Sequence, residues 1–206
     1  MRSKVLITGA AGGMGRACAR LFGNAHDLVL TDVAAAPLKL FAEELSSDGY
    51  MVEIFPGDLA DEKLLRGLKS DLQGEAPFIV IHTAGIAPSQ GDWRSIMTVN
   101  LLATEKLLRA LEDVLSPGSV GILIASTAGH GGTPTTDILA ILDDPLAPDF
   151  FERLTPFVDR MAPHLGPTGA RGLAYMLSKD EVTSGQQDLD TQTDALSGIK
   201  FKAMKP

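Results

Sequence analysis

Thr8-Gly9-Ala10-Ala11-Gly12-Gly13-Met14-Gly15 restricts what this chain can fold into more than any other stretch. A short apolar run, Val5-Leu6-Ile7, leads into it, and a segment with helical spacing over 14–22 leads out. Glycines at a strand-to-helix turn allow positive φ and let the backbone come close to a pyrophosphate. The helix N-terminus behind them offers unpaired N–H groups and a partial positive charge to the anion. Asp32 closes the next apolar run, Leu28-Val29-Leu30, about 20 residues on, where a carboxylate can accept hydrogen bonds from ribose hydroxyls. The same carboxylate repels a 2′-phosphate, so the expected cofactor is NAD rather than NADP, with Arg16 able to soften that preference if it reaches the ribose. A plain glycine loop followed by a surface turn aspartate is the competing reading.

The rest of the chain repeats the alternation. Further strands are expected at 52–55, 78–81 and 120–125. Helices are expected over 37–45, over 61–72 with Leu64, Leu65, Leu68 and Leu72 on one side, and over 95–115 up to Ser116-Pro117-Gly118. Continuous apolar strands between helices indicate a mainly parallel sheet covered on both faces. The fold class is therefore α/β, a doubly wound, Rossmann-like parallel sheet, and the 206 residues suit one domain spanning 1–206. Between 133 and 170 the texture changes: six of the 12 prolines fall there, around two amphipathic pieces at 137–142 and 149–161. Apolar residues keep recurring, so this is expected to be a helical insertion rather than a linker.

A formal charge of −8 argues against nucleic acid as a partner, because an acidic surface repels phosphate backbones. The single cysteine, Cys18, excludes an internal disulfide framework and fits a reducing compartment. No run reaches the roughly 18 apolar residues a membrane span needs, so a cytoplasmic protein without a membrane partner is expected. His26, His82, His130 and His164 show no ligand spacing, and no metal is expected. The lone Trp93 reads as packing.

Taken together, the motifs resemble the short-chain dehydrogenase/reductase family. Thr8, Gly9, Gly13 and Gly15 match its Thr-Gly-x-x-x-Gly-x-Gly pattern, with Met14 inside the turn. Asp58-Leu59 is similar to the family's adenine-contacting pair. His82-Thr83-Ala84-Gly85 resembles its Asn-Asn-Ala-Gly element, keeping Ala84 and Gly85. Asn100, Ser126 and the pair Tyr175 and Lys179 resemble its Asn, Ser and Tyr-x-x-x-Lys site. The resemblance implies hydride exchange between NAD and a small-molecule alcohol or ketone, in a homodimer or homotetramer. Cofactor contacts are implied for Gly9, Gly13, Met14, Gly15, Asp32, Asp58, Leu59, Ala84, Gly85, Tyr175 and Lys179. The chemistry is consistent with these residue types. A Tyr and a Lys four apart share a helix face. A phenol is a poor base at neutral pH, and a neighbouring ammonium together with a positive nicotinamide favours its phenolate. Tyr175 would move the proton, Ser126 would hydrogen-bond the reacting oxygen, Lys179 would also hold the nicotinamide ribose, and Asn100 would help hold a water leading from Lys179 to solvent.

Two departures matter. Ser126 and Tyr175 stand about fifty residues apart, much farther than family members place them, and the intervening segment resembles the insertion of bacterial 3α-hydroxysteroid dehydrogenase/carbonyl reductase relatives. The chain also ends where a sixth strand, expected over 198–206, would meet the family's Pro-Gly turn, so the substrate lid and last strand are expected to be absent. The helix beginning at Tyr175 is expected to run to about Ala195. The adjacent Gly12 and Gly13 also admit the Thr-Gly-x-x-Gly-x-x-Gly pattern of extended, epimerase-like members. A remnant of that group, or a non-catalytic NAD-binding sensor or partner subunit, are the alternatives.

Overall fold

Val5, Leu6 and Ile7 are consecutive and fully buried, as are Leu28, Val29 and Leu30, which is possible only for strands covered on both faces. In the computed structural model, Leu6, Val29 and Val80 pack with Leu64, Leu68, Leu107 and Leu111 on one side of the sheet. Val5, Ile7, Leu28, Leu30 and Ile81 pack with Ala19, Leu38, Phe41 and Leu45 on the other. Side chains alternate across a strand, so each short apolar run serves two cores at once. The structure describes residues 2–74, 77–130 and 134–179, and the backbone of Lys200–Phe201.

The elements run β1 (Lys4–Thr8), α1 (Gly13–Phe22), β2 (Asp27–Asp32), α2 (Ala35–Ser47), β3 (Val52–Pro56), α3 (Glu62–Leu72), β4 (Ile79–His82), α4 (Trp93–Met97), a π-helical turn (Thr98–Leu102), α5 (Ala103–Glu112) and β5 (Val120–Leu123). After β5 come α6 (Thr136–Leu142), α7 (Phe150–Met161), a helix over 169–179 termed α8, and β6 (Lys200–Phe201). All pairings are parallel, in the order β3-β2-β1-β4-β5-β6. The order reverses between β1 and β4, which opens a crevice beyond their carboxyl ends. Register places Thr8 level with both Thr31 and His82, and His82 level with Leu123, so several strand ends face one crevice.

Boundaries follow local chemistry. The Asp61 side chain caps α3 by accepting from the Lys63 N–H, and Asp92 caps α4 by accepting from the Ser95 N–H. The helix expected over 95–115 begins earlier because of the Asp92 cap, stops at Glu112 and is interrupted by the π-helical turn, where the Ala103 N–H reaches the Thr98 carbonyl five residues back. The helix expected to begin at Tyr175 is already formed from 169, and its expected run to 195 lies outside the described residues. So does the expected sixth strand, apart from the two residues of β6.

Between 134 and 170 the chain forms α6 and α7. Ile138, Leu142, Phe150, Leu154 and Val158 on these helices pack with Ile96, Met97 and Leu101 and with Leu173, Ala174 and Leu177 of α8. Pro156 lies inside α7 without ending it. Among the described residues, no helix is long and apolar enough to cross a membrane.

Candidate active site

The turn after β1 uses its glycines for distinct purposes. Gly9 has φ +63°, and a Cβ there would lie 2.8 Å from the Ala84 nitrogen. A Cβ on Gly15 would lie 2.3 Å from the Gly9 carbonyl oxygen, so α1 can seat against the turn only with glycine at that position. Gly13 faces open space, and Gly12 precedes α1 with no side-chain cap on the first N–H groups. The turn thus leaves an uncapped helix N-terminus aimed at a cradle that any Cβ on Gly9 or Gly15 would disrupt, and it suits a diphosphate.

A cleft of about 250 Å³ lies in front of this turn. Gly9, Asp32, Asp58, Leu59, Ala84 and Gly85, all expected from the sequence, line it. Gly13, Met14, Gly15, Tyr175 and Lys179 do not appear in this lining: Met14 is exposed, and Gly15 supports the turn from behind. Gly12, Val33, Thr83, Ile86 and Val99 line the cleft without having been expected as contacts. Only Gly12 had a readable signal, in the alternative glycine spacing. The others are apolar or small residues brought there by strand ends and the π-helical turn.

Both carboxylate oxygens of Asp32 are held by backbone: the Ala11 N–H donates to Oδ2 at 2.9 Å and the Ala34 N–H to Oδ1 at 2.8 Å. The charge is fixed at the rim, with lone pairs left to accept further hydrogen bonds. Arg16 is occupied elsewhere. Its Nε donates to the Ala11 carbonyl at 3.0 Å and its guanidinium lies 4.6 Å from the centre of the Phe41 ring.

On the opposite wall stand Asn100 and Lys179. Asn100 is buried in the π-helical turn, a feature often found at functional sites. Its Oδ1 accepts from the Ile86 N–H at 2.8 Å and its Nδ2 donates to the Ile86 carbonyl at 3.0 Å. Lys179 is only 8% exposed, and its Nζ donates to the Ile124 carbonyl at 3.2 Å, two residues before Ser126. A Cβ on Gly85 would lie 3.2 Å from Asn100 Oδ1 and 3.7 Å from Lys179 Nζ, so one glycine separates both groups from the cleft it lines. Burial pushes the Lys179 ammonium below the ordinary lysine range. Its Nζ lies 5.9 Å from the Tyr175 ring centre, and Tyr175 is half-buried one turn earlier on α8. The Ser126 hydroxyl accepts from the Ala128 N–H at 3.2 Å, at the start of a 3₁₀ turn spanning Thr127–His130. The structure therefore brings Asn100, Lys179 and Tyr175 to one wall, with Ser126 on the segment whose carbonyl Lys179 holds.

From sequence His82 shows no metal-ligand spacing and stands where the family's Asn-Asn-Ala-Gly element has its first asparagine, with no role of its own expected. It is a buried imidazole at the end of β4, its pKa lowered to about 4 by burial and, secondarily, by the positive Lys179. Among the described residues, no group of three or more His, Cys, Asp or Glu could hold a metal ion.

Comparison with known proteins agrees with this geometry. The family model described as short chain dehydrogenase matches residues 3–138. Nodulation protein G of Rhizobium sp. (strain N33) is 34% identical over 143 residues, covering 64% of this chain and 57% of that protein. The chain thus spans little more than half the length of that relative. A short-chain dehydrogenase/reductase of Hericium erinaceus, eriH, is 30% identical across 97% of this chain and 90% of that protein. Among solved structures, a short chain dehydrogenase/reductase of Burkholderia phymatum in complex with NAD superposes with a TM-score of 0.67 at 18% identity, over 99% of this chain and 65% of that one.

Proposed function

The chain belongs to the short-chain dehydrogenase family, whose members bind nicotinamide cofactors, and on that premise we propose that it is an NAD-dependent oxidoreductase acting on a secondary alcohol or ketone. The observation that carries this reading is Gly85, which lines the nucleotide cleft and where a Cβ would lie 3.2 Å from Asn100 Oδ1 and 3.7 Å from Lys179 Nζ. The cleft and the chemical groups share a wall one residue thick.

Gly9, Gly12, Asp32, Asp58, Leu59, Ala84 and Gly85 would hold the dinucleotide, with the α1 N-terminus facing its diphosphate. When bound, nicotinamide supplies the hydride acceptor or donor. The Tyr175 hydroxyl would exchange a proton with the substrate oxygen, and Ser126 would donate a hydrogen bond to that oxygen. The Lys179 ammonium favours the deprotonated phenol and is held by the Ile124 carbonyl. Asn100 fixes the 86 loop so that the ammonium and the cleft keep their spacing. NAD is favoured over NADP because Asp32 is clamped at the rim and would repel a 2′-phosphate, and because Arg16 is committed to Ala11 and Phe41. We also read the chain as one domain with α6 and α7 as a helical insertion, supported by the core they share with α4 and α8.

The test is turnover of a panel of ketones with NADH by the purified chain and by its Tyr175→Phe variant. Oxidation of NADH by the former and a rate lower by about three orders of magnitude in the latter support the reading. Equal rates in both would remove Tyr175 from the chemistry. NADH binding with no turnover on any ketone would mark a non-catalytic binding protein.

A further inference from the structure

Both ring nitrogens of His82 are engaged, and no step above uses the residue. Nδ1 lies 2.8 Å from Thr8 Oγ1 at the end of β1, and Nε2 lies 2.9 Å from Thr104 Oγ1 on α5. The direction of each bond follows from counting protons. Thr104 has one hydroxyl proton, which goes to the Asn100 carbonyl at 2.9 Å, an oxygen that can only accept. Thr104 Oγ1 must therefore accept from an Nε2–H. A neutral imidazole carries one N–H, so Nδ1 accepts, and the Thr8 hydroxyl is its donor. Thr8 Oγ1 in turn accepts from the Ala84 N–H at 3.2 Å. From Ala84 the backbone runs to Ile86, whose N–H donates to Asn100 Oδ1 at 2.8 Å, and the Asn100 carbonyl returns the path to Thr104.

We propose that His82, fixed as its Nε2–H tautomer, is a positioning residue that closes a ring of hydrogen bonds whose two arms both donate from the 84–86 segment toward Asn100, tying the cleft wall there to the π-helical turn that carries Asn100. The ring passes through Thr8, Ala84, Ile86, Asn100, Thr104 and His82, so it joins the ends of β1 and β4 to α5 through groups that are mostly buried. Every polar atom on it has a defined partner, and a buried network of that kind holds one geometry, since breaking any bond leaves a buried group unpaired. The positive Lys179 disfavours a second proton on the ring, as does burial, and the neutral form is the one the ring needs. Ala84 and Ile86 line the cleft, so loosening the ring at the far Thr104 end would be felt by a bound nucleotide. This last step rests on the cofactor reading above; the tautomer does not.

Nitrogen-15 NMR of the full chain, labelled at its four histidines, tests the ring directly. The expected result is one histidine, lost from the spectrum in His82→Gln, that shows the Nε2–H tautomer and does not titrate between about pH 7.5 and pH 5.5, a range spanning the ordinary histidine midpoint of about 6.5. An Nδ1–H tautomer, or an ordinary titration, overturns the proposal. NADH affinity of three variants then tests the coupling. His82→Asn can keep an acceptor for Thr8, His82→Gln can keep a donor to Thr104, and Thr104→Val removes the bond farthest from the cleft. Each opens the circuit, and each is expected to weaken NADH by about three- to tenfold, the range of one lost hydrogen bond. A Thr104→Val variant that binds NADH as tightly as the parent overturns the coupling. A parent chain that binds no NADH sinks the cofactor reading instead, and the tautomer measurement still decides the ring.

Discussion

On the β1–α1 side of the cleft the groups that would face a ligand are mainly backbone: an uncapped helix N-terminus, the glycine turn, and one carboxylate clamped by two amides. On the Asn100–Lys179 side the wall is set by side chains standing behind Gly85, each held by a partner on another segment. Asn100 meets Ile86 and Lys179 meets Ile124. The first side is fixed by local conformation, because the turn and the acid need only β1, α1 and β2. The second exists only after β4, β5, the π-helical turn and α8 have packed together. Damage to the two sides should therefore look different: on the first side it should act mainly on binding, and at the reacting side chains of the second it should act mainly on chemistry.

The largest expected effect separates them. Tyr175→Phe should lower ketone turnover by about three orders of magnitude, roughly 4 kcal/mol of barrier, with NADH affinity changed by less than about threefold. Steady-state kinetics beside a fluorescence titration would show it. A parallel collapse of binding would mean the two walls are not separable. Next in size, Gly15→Ala should destabilise the fold by about 3 kcal/mol in urea and reduce binding and turnover together, because its Cβ falls 2.3 Å from the Gly9 carbonyl.

A smaller effect is set by pH. His82 is pushed down to about 4 in the folded chain, against an ordinary value of about 6.5 once unfolded. The unfolded chain therefore binds the extra proton first. The stabilisation is complete above about pH 6.5 and is lost progressively as pH falls toward 4. Between about pH 7.5 and pH 5 the loss should reach about 2 kcal/mol, and His82→Asn should remove that component from the urea-derived stability profile. The smallest effect returns to the first wall: Asp32→Asn should narrow the preference for NADH over NADPH by about tenfold, read from the two dissociation constants.

The order of strands and helices was legible because each local signal agreed with the next: apolar runs too short for helices, glycine at the first turn, Asp32 at the end of β2. Asp58, Ala84 and Gly85 were expected only through the family resemblance, and the structure places all three on the cleft. The π-helical turn was not legible, because an i+5 bond leaves no periodic mark in five residues reading Thr-Val-Asn-Leu-Leu. Nor was the reach of Arg16, whose commitment to Phe41 depends on how α2 lies beside α1. His82 escaped because its partners, Thr8 and Thr104, stand 74 and 22 residues away, and nothing in a strand-end histidine announces hydroxyls on two other elements. Sequence marks where the backbone must bend; it does not mark which distant side chains will share a proton.

Isothermal calorimetry of the intact chain with NADH, and in parallel with NADPH, addresses the cofactor cleft most directly. The expected result is saturable one-site binding of NADH, with NADPH at least about tenfold weaker. Absence of heat from either coenzyme at millimolar concentration would contradict it, as would a preference for NADPH with Asp32 intact.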